Sequence, residues 1–524
     1  MKCKLPIILL LVTSIMVSCT KQKEKQKPNI VLFLVDDLGW TDVGCYGSSF
    51  YETPNIDQLA QDGVRFTNAY AACHVCSPTR ASLLTGKYPA TLNLTDWLTG
   101  RRDFPFQKLK NVAINQHLPY GQNTLPKVLK QNGYETAIYG KWHLGEDSLS
   151  TQRQGFDIHI PDWNKGWPKE GYHYPYGMKG LETGKKSEYL TDRMTDESLN
   201  FIEKNKDKPF FLYLSHFAVH DPIEGRPDLV EKYSARLKNS KELKGQPYIL
   251  EGRPSDEPQI SRNTLNQMVQ NQTYSGYQVF PDETVKIKQH QDNVEFAAMV
   301  ESMDESMGRV LQKLKDIGID DHTLVIFYSD NGGMSAANFW DPERTIPKTE
   351  LDKAYATSNL PLRAGKGWLY EGGIRVPLII KWPGEGMQAA VSDVPVTSPD
   401  FLPTILEMLN IEYSSADYDG VSIVPLLKGH NQIDRDAIFW HFPHYSNHGM
   451  QSPGGAVRSG NYKLLEYYED GTIQLFNLKD DIGEHHNLAT AEPEKAQALL
   501  HKLHKWRKSV GAKMMEPNPD YNGL

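Results

Sequence analysis

Cysteine is scarce: five residues in 524, at positions 3, 19, 45, 73 and 76, which excludes a disulfide-stapled scaffold. Excess basic charge is lacking too. Lys and Arg number 57 against 65 Asp and Glu, a formal net charge of −8, so the broad cationic surface of a nucleic-acid binder is excluded. Any anionic ligand must therefore be held by a local cluster of cations. The apolar run over residues 6–17 falls short of the ~20 residues that a membrane-spanning helix needs. What is left is an acidic chain long enough for roughly two to four domains, and we expect one large and one small.

The apolar pattern gives the architecture. Residues 29–35 form a continuous, β-branched-rich run without alternation, the pattern of a strand buried on both faces of a parallel sheet, and it ends in Asp36-Asp37. Runs over 136–139, 210–214 and 323–328 repeat the pattern and end in Gly140-Lys141-Trp142-His143, Ser215-His216 and Ser329-Asp330-Asn331; a further run covers 376–380. In open α/β sheets ligands bind beyond the carboxyl ends of the strands, so polar groups far apart in sequence can converge there.

Helical periodicity lies between these runs, at 55–61, 125–131, 294–314 and 400–409. In the third, Ala297, Ala298, Met303, Met307, Val310, Leu311 and Leu314 recur at helical spacing, and the methionines read as core. The expected fold is α/β, a large mixed, mainly parallel sheet sandwiched by helices. Residues 226–290 are polar and lysine-rich and read as an insertion, partly loop, above the sheet. Beyond residue 430 come short strands at 456–458, 462–465 and 474–476, closed by a helix over 493–510, which predicts a smaller antiparallel α+β domain.

Residues 73–86 read Cys-His-Val-Cys-Ser-Pro-Thr-Arg-Ala-Ser-Leu-Leu-Thr-Gly. Pro78 suits the first turn of a helix and Gly86 the left-handed position that ends one, so a helix of about two turns is expected, with Cys76 just before its N-terminus. Free N–H groups, the helix dipole and Arg80 all favour an anion there. Taken alone, such a thiol is more often an inert buried residue. Cys76-Ser77-Pro78-Thr79-Arg80 followed by Leu84-Thr85-Gly86, however, resembles the signature of type I sulfatases. The resemblance implies that a dedicated maturation enzyme oxidises Cys76 to formylglycine. As its hydrate, that residue offers one oxygen to attack sulfur and keeps a second hydroxyl whose deprotonation expels the sulfate.

Asp36, Asp37, Asp330 and Asn331 supply hard oxygen ligands at two strand ends, which suits Ca²⁺ better than Zn²⁺, with Mg²⁺ as the main rival. The resemblance assigns these residues, with the modified Cys76, to one Ca²⁺ ion that touches the substrate sulfate. Gly140-Lys141-Trp142-His143 resembles the family's Gly-Lys-x-His segment, which implies that Lys141 contacts the sulfate and that His143 is the base for its release. His220, in Ala218-Val219-His220-Asp221-Pro222, resembles the family histidine beside the leaving oxygen. Lys366, between Gly365 and Gly367, resembles the second sulfate-binding lysine. The catalytic set implied is thus Cys76, Arg80, Lys141, His143, His220 and Lys366. The resemblance runs over residues 29–487 and departs at 93–117 and after Arg226, where substrate choice is expected to be set.

The resemblance also implies an alkaline-phosphatase-like sheet, with a catalytic domain at 29–430 and an α+β domain at 431–524. Residues 1–19 read as a signal peptide and 20–28 as a tether; Ser18-Cys19 resembles a bacterial lipoprotein cleavage site, with Cys19 as the lipidated, membrane-anchoring residue, and ordinary cleavage nearby is the alternative. Export to the periplasm or outer membrane follows from either. Cys45 and Cys73 are then a pair or two buried thiols. Similarity to bacterial glycan sulfatases implies a sulfated sugar substrate, galactose or N-acetylgalactosamine first. The other activities weighed are a broad arylsulfatase and a phosphonate or phosphodiester hydrolase; the reading from another class is a non-catalytic glycan-binding lipoprotein. Asp162-Trp163, Tyr172-His173-Tyr174 and His444-Tyr445-Ser446-Asn447-His448 are expected to line the sugar pocket.

Overall fold

The first apolar run forms strand β1 (Asn29–Val35) at the centre of an eight-stranded sheet. This computed structural model describes residues 27–521 apart from 106, 148, 241–242, 244, 252–284, 338–353, 383–386 and 449–450. The signal peptide, Cys19 and most of the tether lie outside the described residues, as does the middle of the insertion. The remaining strands of the sheet are β2 (Val64–Phe66), β3 (Glu135–Gly140), β4 (Ile158–Ile160), β5 (Phe210–Ser215), β6 (Thr323–Ser329), β7 (Leu378–Lys381) and β8 (Ala390–Ser392). Their spatial order is β8-β2-β7-β6-β1-β5-β3-β4. All run parallel except β7, which pairs antiparallel with both β6 and β2.

The unbroken apolar run of β1 has its reason in two cores. Val31, Phe33 and Val35 enter one hydrophobic cluster, and Ile30, Leu32 and Leu34 enter another. Each strand face is covered, so alternation would leave polar groups without water. Among the helices are α1 (Pro54–Asp62), α2 (Cys76–Thr85), α3 (Leu190–Asn205), α4 (Pro227–Asn239) and α5 (Val294–Asp316). In α5 the methionines predicted as core, Met303 and Met307, are fully buried in the first cluster. Ala81, Leu83 and Leu84 of α2 join the second.

The insertion, expected to be partly loop, contains ordered elements whose positions the sequence pattern did not indicate. Helix α4 packs Leu229 and Tyr233 into the first cluster, and Tyr248–Glu251 pairs antiparallel with Val285–Lys288. Two buried side chains in thirteen residues leave too weak a periodicity to register against the surrounding lysines. Cys45 and Cys73 are both free thiols, Cys73 buried and Cys45 half-buried, which settles that alternative.

A four-stranded antiparallel sheet follows, with strands β9 (Ile438–Phe442), β10 (Gly454–Ser459), β11 (Tyr462–Tyr467) and β12 (Ile473–Asn477), and α6 (Pro493–Ser509) packs on it through Ala496, Leu499 and Leu503. It is fastened to the large sheet's side by buried charge. Lys463 Nζ on β11 donates to Glu371 Oε1 at 3.0 Å and to Glu484 Oε1 at 2.9 Å, with all three side chains fully buried. Arg375 Nε donates to the other oxygen of Glu371 at 2.7 Å. Burial opposes charge on Glu371, but Lys463 and Arg375 outweigh it and hold the carboxyl down at about 2. Burial, with Glu371 adding, pushes Glu484 up to about 7. One cation thus serves two carboxyls. Lys463→Ala leaves Glu484 without its cation, facing a Glu371 that keeps only Arg375, and should cost about 3–5 kcal/mol of unfolding free energy in urea titration. Glu484→Gln, which removes one of the like charges, should cost less.

Candidate active site

Strand register assembles the site. β1 and β6 pair with Val35 opposite Ser329, so the chain leaves the sheet side by side at Asp36-Asp37 and Asp330-Asn331. β3 and β5 pair with Gly140 opposite Ser215, which brings Lys141 and His143 out beside the turn that carries His220. Lys141 Nζ donates to Asp36 Oδ2 at 2.5 Å and Lys366 Nζ to Asp37 Oδ2 at 2.7 Å. Arg80 reaches from α2 across these strands: its Nε donates to Asp330 Oδ2 at 2.7 Å and its Nη1 to Ser215 Oγ at 2.7 Å, and Nη2 lies 3.6 Å from Asp36 Oδ1. Asn331 Nδ2 donates to Asp37 Oδ1 at 2.8 Å.

Two oxygens in this cluster are left without a hydrogen bond. Asp36 Oδ1 and Asn331 Oδ1 are buried and make no hydrogen bond. Ligand atoms of Asp36, Cys76 and Asp330 lie within 4.8 Å of one another, as do those of Asp36, Asp37 and His220. Burial, with Asp330 adding, pushes the Asp36 carboxyl well up, so the protein's own cations do not fully compensate it. Burial opposes charge on Asp37 as well, but Lys366, His220 and Lys141 outweigh it and hold that carboxyl ionised. Oxygens without a hydrogen bond, adjacent buried carboxylates and the amide oxygen of Asn331 fit a hard divalent cation. Asp37 and His143 both adopt left-handed backbone, at φ 61° and 55°, a conformation that non-glycine residues seldom take and that concentrates at functional sites.

Helix α2 begins at Cys76 itself rather than just after it, because Pro78 is accommodated within the first turn, and it ends as expected at Gly86 with φ 68°. Cys76 Sγ lies 3.5 Å from His143 Nδ1. His143 Nε2 lies 2.7 Å from the Leu98 carbonyl oxygen, which can only accept, so Nε2 carries the proton and Nδ1 faces Cys76 with a lone pair. Burial, then Lys141, hold the His143 pKa well below its ordinary value, so the ring is neutral. His220 is the opposite case. Burial and Lys366 oppose its charge, but Asp37, Asp221 and Asp36 outweigh them and raise it to about 9, with Nδ1 donating to the Asp221 backbone oxygen at 2.7 Å. One histidine is set to take a proton and the other to give one.

A cavity of about 560 Å³ opens over these groups. Cys76, His143, His220 and Lys366 line it. Arg80, Lys141, Asp36, Asp37, Asp330 and Asn331 are not among the lining residues and are buried beneath. Of the aromatic segments expected to contact a sugar, only Asn447 and His448 reach the cavity. Tyr172 is fully buried and donates to the carbonyls of Phe217 and His220 at 2.7 and 2.9 Å, so it braces the His220 turn instead. Trp163 Nε1 donates to the Trp167 carbonyl, and His444 is buried against Thr95. Trp97 and Trp167, which do line the cavity, carry no sequence signal: each is an isolated aromatic in an aperiodic segment.

The Sulfatase family model matches residues 28–411, and a model described as N-sulphoglucosamine sulphohydrolase, C-terminal, matches 364–510. The chain belongs to the sulfatase family. It is 31% identical to a sulfatase of Formosa agariphila, covering 96% of this chain and 93% of that relative. It is 28% identical to an N-acetylglucosamine-6-O-sulfatase of Bacteroides thetaiotaomicron, covering 92% and 86%. Among solved structures, Ps i-CgsB in complex with k-i-k-neocarrahexaose is similar at a TM-score of 0.68 and 26% identity, covering 95% of this chain and 94% of that one. The enzyme thus has the mixed, mainly parallel sheet of its family and the small C-terminal antiparallel sheet beside it.

Gly166 offers a test of whether the His143 ring matters to this sulfatase. A Cβ on it would lie 2.6 Å from His143 Cε1 and 2.8 Å from Nδ1, so the turn bearing Lys165 and Trp167 rests on the His143 imidazole. Gly166→Ala should displace that ring and lower kcat by ~10²-fold, the scale of an ångström-sized misplacement, with little change in Tm.

Proposed function

We propose that the enzyme removes sulfate from sulfated carbohydrates, with a formylglycine at position 76 and one Ca²⁺ held by Asp36, Asp37, Asp330 and Asn331. The carrying observation is the His143 tautomer: a neutral imidazole whose unprotonated Nδ1 faces position 76. The N-acetylglucosamine-6-O-sulfatase relative and the neocarrahexaose complex support a carbohydrate substrate.

Cys76 Sγ stands where the oxygens of the modified residue would be. When bound, the hydrated aldehyde supplies the oxygen that attacks sulfur and a second hydroxyl, and the cation supplies positive charge to sulfate oxygens. His143 Nδ1 takes a proton at position 76. His220, lining the cavity, gives one to the oxygen of the departing sugar. Lys366 and Lys141 place positive charge beside the sulfate, and Arg80 fixes Asp36 and Asp330 relative to α2. A formylglycine-generating enzyme is the implied maturation partner. Export and anchoring through Cys19 complete the proposal and are supported by residues 1–19 of the sequence.

Purified, natively matured enzyme should release inorganic sulfate from defined sulfated mono- or oligosaccharides, and far faster than phosphate from the matched phosphate esters. The peptide containing residue 76 should carry the mass of formylglycine. Only unmodified thiol in fully active protein would sink the position-76 assignment. Sulfate release from nitrophenyl sulfate but from no sugar would sink the carbohydrate assignment.

Stripping divalent metal with a chelator should lower both Tm and activity, and Ca²⁺ should restore both. Asp330→Ala should abolish the Ca²⁺-dependent rise in Tm. A Tm indifferent to Ca²⁺ in the unsubstituted protein would remove the ion from this site.

A further inference from the structure

We infer that Asn447 and His448, on the loop between β9 and β10, read the hydroxyl groups of the sulfate-bearing sugar ring. The inference rests on the carbohydrate substrate proposed above. Asn447 is 4% and His448 5% exposed, and both line the cavity. Asn447 Oδ1 and both ring nitrogens of His448 are buried and make no hydrogen bond. Buried polar atoms are nearly always satisfied, so three unspent ones on consecutive side chains beside a cavity call for a partner from outside the protein.

The loop itself is well tied. Ser446 N donates to the Gln451 carbonyl at 3.1 Å, Ser446 Oγ to the His448 carbonyl at 2.9 Å, and Arg101 Nη1 to the Ser446 carbonyl at 2.5 Å. His448 N donates back to Ser446 Oγ at 3.1 Å. These bonds fix the backbone at Ser446 and His448 while three polar side-chain atoms of the two cavity-lining residues stay without a hydrogen bond, as in a prearranged recognition edge.

The same residues restrict what can bind. Burial, then Lys366, hold the His448 pKa well below its ordinary value, so the ring is neutral, with one nitrogen to donate and one to accept. That pair matches a hydroxyl, which both donates and accepts, and gives no charge to a second anion. Of the lysines lining the cavity, Lys366 is paired with Asp37 and Lys165 with Glu146. Trp97 and Trp167 complete the lining with apolar faces on which a pyranose can stack. The side chains of Asn447 and His448 thus offer hydrogen bonds suited to the hydroxyl groups of the ring.

The experiment compares kcat/KM on three substrates: a monosulfated neutral sugar, its deoxy analogues lacking single hydroxyls, and nitrophenyl sulfate. In Asn447→Ala and His448→Ala the ratio of sugar to aryl activity should fall about tenfold or more, chiefly through KM. At least one deoxy analogue should be a poorer substrate for the unsubstituted enzyme, and that penalty should vanish in one of the two variants, since the lost hydroxyl and the lost side chain are then the same contact. Equal losses on sugar and aryl esters, or a deoxy penalty unchanged in both variants, would overturn the assignment while leaving the carbohydrate proposal intact. If the unsubstituted enzyme turns over nitrophenyl sulfate and no sugar, both fail.

Discussion

Four oxygen-bearing side chains buried at the ends of two adjacent parallel strands are the constraint on which the site depends. Asp36 and Asp330 emerge together because β1 and β6 pair in register, and nothing in the sheet itself offsets their charge. Arg80, fully buried, spans both and ties helix α2 to the strand ends. A cation on a helix is thereby fixed to carboxylates on a sheet, and the residue one helical turn before it, Cys76, acquires its position. Breaking a buried pair leaves an uncompensated charge, so the arrangement resists drift more strongly than apolar contact would.

Chemistry and selection are divided between different parts of the chain. The strand ends carry Lys141, the carboxylates and the two histidines, all anchored to a sheet buried on both faces, while Arg80 comes from α2 and Lys366 from the segment between β6 and β7. The cavity walls come from elsewhere: the segment of Trp97, the turn of Trp167 and the β9-β10 loop of the C-terminal sheet. Tyr172 links the two, since its hydroxyl holds the backbone of the His220 turn from beneath. Such a plan lets walls change while the floor stays the same.

How much of this was legible in the sequence follows from the range of the forces involved. β1 and β6 could be read because burial on both faces demands unbroken apolar runs, and Asp36-Asp37 and Asp330-Asn331 because polar residues at such strand ends are conspicuous. Cys76, Lys141, His143, His220 and Lys366 were legible through their motifs, and the structure brings them within one site. The start of α2 was misplaced by about two residues because proline is tolerated throughout a first turn. Tyr172 and Trp163 were assigned to the cavity on their type alone, but whether an aromatic faces ligand or core depends on distant packing. Trp97 and Trp167 left no trace, since a single side chain in an aperiodic loop has no pattern to betray its neighbours.

The acceptor that fixes the protonation pattern of His143 is the backbone carbonyl of Leu98, in an aperiodic segment that also supplies Trp97 to the cavity wall. Every amino acid presents the same carbonyl, so the side chain at position 98 can change while His143 keeps its tautomer. Changes of loop length have no such freedom, because they would move the carbonyl away from the ring. Evolution, or a designer seeking a new substrate, can therefore exchange the side chain at position 98 but cannot readily shorten or extend the segment around it.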